Sequence, residues 1–300
     1  LSLIEGLNHI FFPGGTRSRS GAIEDKLKLG LLNSVIDAQR YCIVNDINQK
    51  IYVVPLTVGY HFVLEAGSLI DHHLRQTGRE KYQRGSSKTS WFRVILRFIR
   101  SLRSNDSEVY LSFGQPMDVL GNYVDRKGVS MDDREVEISI EKYFSKEDVP
   151  NVDSQRESVY TRILADKIVH SFKRENIILS SHLCAYVAFT MLRQENPELD
   201  LFELIRISTE SFEIDYEDFE SRCSKTFEDL KAIQEYDVKF SAIFSKSMKE
   251  VIHDGVKNLG LYHYKDPLKW ASESSLCCED FKLLYYYHNK LIHYDLGSVD

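Results

Sequence analysis

Several familiar signatures are missing from this chain. No Gly-x-Gly-x-x-Gly and no Gly-Lys-Ser/Thr occurs in it, which removes the dinucleotide-binding and P-loop fingerprints. The five cysteines (Cys42, Cys184, Cys223, Cys277, Cys278) make no Cys-x-x-Cys pair. Neither a zinc site nor a disulfide framework is therefore indicated, and a reducing compartment is the expected home. No apolar run reaches the ~18 residues that a membrane span needs. No signal peptide is visible, and there is no internal repeat or low-complexity tract. Bases do not outnumber acids: 38 Lys and Arg stand against 45 Asp and Glu, for a net charge of −7, so nucleic acid is not an expected partner.

What is there is 300 residues, 43% of them hydrophobic, enough for a packed core in one or two domains. The most informative stretch is Phe11-Phe12-Pro13-Gly14-Gly15-Thr16-Arg17-Ser18-Arg19-Ser20-Gly21. Glycines let a backbone turn tightly and approach a ligand. The guanidinium fork matches phosphate oxygens, and successive backbone N–H groups in such a turn form an anion-binding nest. Composition alone leaves two readings open, a phosphate-binding loop and a polar surface loop. No acid cluster with metal-ligand spacing lies near it, so no metal site is expected and metal-dependent phosphatase or kinase chemistry ranks low.

Apolar patterning predicts an α/β region followed by a mainly helical one. Strands are expected at 9–12, 51–58 and 109–113, and helices at 27–40, 64–75 and 91–102, with the start of the chain (Leu3, Ile4, Leu7) also helical. Residues 78–89 read as a polar loop, and 119–150 as a charged, irregular connection. Helices are then expected at 158–175, 181–196, 199–213, 216–233, 237–259 and 275–294, with Pro197 stopping one and Asp200 opening the next. Tyr285, Tyr286 and His288 fall at spacings that suit helix packing.

Charge is unevenly placed. Between His72 and Arg103 nine bases face one acid, and between Glu195 and Glu235 thirteen acids face four bases. In the basic part Trp91, Ile95, Phe98 and Leu102 share one helical face and Arg93, Arg97 and Arg100 another. Such a helix lies in an anionic membrane interface or buries its apolar side on its own domain, and the second use is the commoner.

The arginine stretch resembles the third sequence block of the glycerolipid acyltransferases, usually Phe-x-Glu-Gly-(Thr/Gly)-Arg-Ser-Arg. Gly15, Arg17, Ser18 and Arg19 match it, while Gly14 stands at the glutamate position. Lys28-Leu29-Gly30 resembles the Lys-x-Gly that follows. Ile51 to Tyr60, with Pro55, resembles the family's proline-bearing fourth block. Val109 to Pro116 resembles the Phe-Gly-Glu-Pro segment of the glycerol-3-phosphate and dihydroxyacetone-phosphate branch, and Leu283 to Leu291 that branch's closing helix.

The family's catalytic His-x-x-x-x-Asp box, in which aspartate orients a histidine base, is absent: none of the ten histidines has an aspartate five positions on. His170 with Glu175 comes nearest, and these read as ordinary helix residues. With Leu1 in place of Met, the resemblance implies a C-terminal part whose catalytic box precedes residue 1. It implies residues 1–120 as the distal part of an acyltransferase α/β layer incomplete at its N-terminus, 121–150 as a connection, and 151–300 as a helical domain. It implies acyl transfer from acyl-CoA or acyl carrier protein, with no cofactor, to glycerol 3-phosphate or, second, dihydroxyacetone phosphate. Gly15, Thr16, Arg17, Ser18, Arg19 and Lys28 are the implied phosphate-binding residues, and the cytoplasmic face of a membrane the implied place, held peripherally. The alternative is a non-catalytic relative that binds a phosphorylated metabolite or lipid headgroup, which Gly14 and the missing box favour.

Overall fold

The computed structural model describes residues 2–14, 18–78, 108–132, 134–146, 149–150, 153–210, 212–259, 261 and 263–296. The fold is mixed α/β with a mainly helical C-terminal region. Its helices are α1 (Leu29–Val44), α2 (Ala66–Thr77), α3 (Ser154–Glu175), α4 (Ser180–Glu195), α5 (Leu201–Leu204), α6 (Tyr216–Lys231), α7 (Met248–Leu259) and α8 (Phe281–His288). Two compact units emerge, each discontinuous in sequence. The first comprises Leu1–Arg17, Glu24–Thr57 and Ser112–Glu175; the second comprises Ser18–Ile23, Val58–Leu111 and Asn176–Asp300. Strands β1 (Leu56–Tyr60) and β2 (Val109–Phe113) pair with each other, and the division falls within both.

The first unit is built on α1 and α3. Leu32, Val35, Ile36 and Cys42 are buried along α1, and Thr161, Leu164, Ala165 and Ile168 along α3, both at the 3–4-residue spacing of one helical face. Residues 119–150 are more ordered than their charge suggested. They hold the antiparallel sheet β3 (Tyr123–Val124), β4 (Ser130–Met131) and β5 (Glu137–Ile138), and the short pair β6 (Ser145–Lys146) and β7 (Val149–Pro150). Three aspartates seven residues apart make the turns. Asp118, Asp125 and Asp132 each accept the backbone N–H groups two and four residues on, at 2.8–3.0 Å. In each turn the third residue after the aspartate has positive φ: Gly121 (88°), Gly128 (76°) and Glu135 (60°).

The second unit is centred on α4, whose residues from Ser180 to Phe189 are all buried. It packs against α8, α7 and α6, and Gly255 of α7 allows the close approach: a Cβ there would lie 2.5 Å from the Cys184 sulfur and 2.6 Å from the Ser180 carbonyl oxygen. Two small sheets flank it: β8 (Ile177–Ile178) with β10 (Lys239–Phe240), and β9 (Glu213–Asp215), β12 (Ser275–Cys277) and β11 (Lys269–Trp270).

Several expectations are corrected. Residues 7–12 form no strand, and residues 2–6 form turns in place of a helix. The strand expected over 51–58 begins only at Leu56, because Pro55 has no N–H to give a ladder; before it Val53 makes a single bridge to Met117. The helix expected over 199–213 is the single turn α5, opened by a reciprocal cap in which Asp200 accepts Phe202 N–H and Glu203 N–H while Glu203 accepts Asp200 N–H. The long helix expected over 237–259 is broken by β10 and a 3-10 turn before α7 starts. The one over 275–294 opens with β12, and α8 begins only after its Asp280 cap. The amphipathic segment 91–102 and residues 79–89 of the polar loop lie outside the described residues. Among the described residues no helix is long and apolar enough to cross a membrane.

Candidate functional site

The arginine loop runs from Pro13 to Lys28, and its base is closed by a 2.7 Å bond from the Lys28 N–H to the Pro13 carbonyl. Lys28 precedes the first turn of α1 with its side chain exposed. Both belong to the first unit. So does the contact between Gly14 and Glu24, whose carboxylate rests on the glycine Cα where a side chain would otherwise start. Partial burial and the neighbouring Asp25 raise the Glu24 pKa above the usual carboxylate range, with desolvation the larger cause; a bond from Lys26 N–H acts the other way. Of the residues singled out in the sequence, Gly15, Thr16 and Arg17 lie outside the described residues.

Ser18 to Ile23 belong to the second unit. The Ser18 hydroxyl donates to the Ala22 carbonyl at 2.7 Å, and the Ala22 N–H donates to Ser20 Oγ at 3.2 Å. The chain reverses at Gly21, whose φ of 86° favours glycine. Arg19 reaches α2, where its Nη1 lies 3.1 Å from Gln76 Oε1 and 3.3 Å from His72 Nδ1. A guanidinium has donors only, so in this contact Nδ1 of His72 is the acceptor. No carboxylate among the described residues pairs with Arg19. Both Nη1 hydrogens are engaged, and among the described residues none takes the edge formed by Nε–H and Nη2–H, the one that grips an oxyanion with two parallel bonds.

Beneath the loop, Asn289 at the end of α8 donates from Nδ2 to the Ser20 carbonyl at 2.8 Å. Patterning had marked neither His72 and Gln76 nor Asn289. The i, i+4 spacing of His72 and Gln76 is the only signal the sequence offers for the first two, and Asn289 lay inside the segment that resembles the family's closing helix.

Glu175 accepts Ser112 Oγ at 2.8 Å and Arg174 Nε at 3.1 Å, which makes it a buried tie within the first unit. A cavity of about 280 Å³ is lined by Lys50, Asp118, Ser130, Glu137, Ser139 and Glu141, but no described residue of the loop lines it and the Asp118 carboxylate is spent on its turn. Among the described residues no three His, Cys, Asp or Glu side chains converge to hold a metal ion.

No protein-family model matches the chain. A stretch of 121 residues is 29% identical to a glycerol-3-phosphate acyltransferase of Pseudoalteromonas atlantica. That stretch is 40% of this chain and 13% of the relative's length. Over those residues the chain is similar to an acyltransferase.

Proposed function

We propose that the arginine loop binds the phosphate of a small glycerol-phosphate acceptor, and that the chain serves acyl transfer to that acceptor's hydroxyl. Glycerol 3-phosphate is the acceptor we favour and dihydroxyacetone phosphate the second. The donor is a thioester, acyl-CoA or acyl carrier protein. The observation that carries the reading is the state of Arg19. Its Nη1 is met by Gln76 and His72, and no described residue takes the Nε–Nη2 edge, which suits an anion. Likeness to a glycerol-3-phosphate acyltransferase supports the same chemistry.

In this reading Arg19 and Arg17 clamp the phosphate, Lys28 adds charge, and Gly15 and Thr16 bring loop backbone close to the ligand. Ser18 holds the turn through its bond to Ala22. Positioning is the contribution of these residues, because fixing the acceptor lowers the entropic part of the barrier. Proton removal from the hydroxyl is not assigned to this chain, whose histidines lack the family's paired aspartate. Binding at the cytoplasmic face of a membrane belongs to the reading and is supported by the basic amphipathic pattern of residues 91–103.

Calorimetric titration of glycerol 3-phosphate into the chain and its Arg17→Ala and Arg19→Ala variants tests the reading. A charge-assisted bond contributes about 1.5–3 kcal/mol, so each loss is expected to weaken binding roughly 10- to 100-fold. Unchanged affinity in both variants would sink it. A second reading, a non-catalytic binder of phosphorylated metabolites, is favoured by Gly14 at the glutamate position and by the missing His-x-x-x-x-Asp pair. Tight, Arg19-dependent binding with no acyl transfer from acyl-CoA by the full-length protein would select it.

A further inference from the structure

We infer that the end of helix α8 is the platform that sets the position of residues 18–23 of the arginine loop, with Asn289 as its positioning residue. This rests on the reading of Arg19 as a phosphate-binding group only for its functional consequence; the geometry stands without it.

Asn289 is 1% exposed and its amide is used at both ends. Nδ2 donates to the Ser20 carbonyl at 2.8 Å, and Oδ1, which can only accept, takes the Nδ1–H of His288 at 3.1 Å. His288 is in turn held by a parallel stack on Tyr186 of α4, with ring centroids 5.0 Å apart and planes 3° off parallel. One residue beyond Ser20, Gly21 lies so close to α8 that a Cβ would overlap the Tyr286 carbonyl oxygen. The loop backbone is therefore seated on α8 through residues 20 and 21.

Arg19, the residue just before, reaches the other way to His72 and Gln76 of α2. Helices α2 and α8 are tied to each other by the Lys282–Asp71 pair at 3.1 Å and by Leu283, which lies over Gly67. Backbone on one helix and guanidinium on the other fix the Arg19 side chain in space. Small errors in such a group are costly: a misplacement of about 1 Å can lose on the order of a hundredfold in a positioned reaction.

The test uses the full chain and two independent readouts. Amide hydrogen exchange is compared between the chain and Asn289→Ala. Loss of this buried bond is expected to speed exchange at Gly21 and Ala22 several-fold, with α4 and α7 unaffected. Loop amides that exchange at the original rate would overturn the inference. If Asn289→Ala does not fold, Gly21→Ala perturbs the same seat from the loop side and is read the same way. Calorimetry with glycerol 3-phosphate then gives a double-mutant cycle. Asn289→Ala is expected to weaken binding about tenfold alone, and to add nothing in an Arg19→Ala background. Equal loss in both backgrounds would show that Asn289 does not act through Arg19. Faster loop exchange with no effect of Arg19→Ala on binding would keep the platform and discard the phosphate reading.

Discussion

The carboxylate of Glu24 rests on the Cα of Gly14: a Cβ built there would lie 2.5 Å from Oε2 and 2.7 Å from Cδ of the glutamate. The acyltransferase block that this loop resembles carries glutamate at the position of Gly14. Here a carboxylate from ten residues farther along the chain lies against the backbone at that position, and the glycine leaves room for it. An exchange of the two residues is therefore expected to be better tolerated than either half of it. Gly14→Glu alone sets two carboxylates against each other, and Glu24→Gly alone removes the charge. Each single variant is expected to weaken glycerol 3-phosphate binding, and Gly14→Glu with Glu24→Gly to restore it to within roughly threefold. A double variant no better than the worse single one refutes the equivalence.

Gln76 holds Arg19 with a neutral oxygen. Gln76→Glu would place a carboxylate at the same atom and form an ion pair with the guanidinium. The pair lies at the surface, so its stabilisation is about 0–1 kcal/mol. Its cost to function is expected to be larger, because a bound phosphate must share the arginine with a second anion. Titration of glycerol 3-phosphate should show weaker binding in Gln76→Glu, by roughly tenfold, with the unfolding temperature unchanged or slightly raised. Equal affinity would mean that Arg19 does not meet the ligand.

The helices α1, α2, α3 and α6 were legible because their apolar residues repeat at helical spacing over 12 or more positions, and α4 because its largely apolar run of 16 residues is too long for a strand. Two- and three-residue strands such as β3 and β11 carry no such period, and the pairings that create them are tertiary. The apolar run at 9–12 looked like a strand, yet it has no strand partner among the described residues. At the site, residue type pointed to the arginines and the glycine turn. Their supports were out of reach of any local pattern: His72 and Gln76 lie 53 and 57 residues from Arg19, and Asn289 lies 269 from Ser20. The insertion of residues 18–23 into the second unit is likewise a matter of long-range contact.

Glu135 occupies the left-handed position that glycine fills in the two preceding aspartate turns, with φ of 60°. A residue with a Cβ pays about 1–2 kcal/mol in that region. Glycine would relieve this and return part of it as added freedom of the unfolded chain. Glu135→Gly is expected to stabilise the chain by about 0.5–1 kcal/mol in urea unfolding at pH 7. Destabilisation would mean that the glutamate side chain contributes more than its backbone costs.

Acid is expected to unfold the second unit well above the range in which ordinary surface carboxylates titrate. Burial against Tyr186 and Phe189 lowers the His288 pKa to about 4; the Asn289 bond raises it again slightly, and the Arg193 charge lowers it further. His61 and His182 are shifted downward too, in both cases mainly by burial. An unfolded histidine binds its proton near pH 6.5, whereas folded His288 remains neutral until about pH 4. A depressed folded pKa gives stability that is whole above about pH 6.5 and is lost as pH falls toward 4. For His288 the loss by pH 4.5 is about 2–3 kcal/mol, to which the other two histidines add their own share. His288→Gln keeps a donor for Asn289 and cannot titrate. Urea midpoints at pH 7.5, 5.5 and 4.5 should fall less steeply in that variant than in the parent chain. Parallel curves would show that His288 is already charged in the folded state, and that the stack on Tyr186 holds an imidazolium.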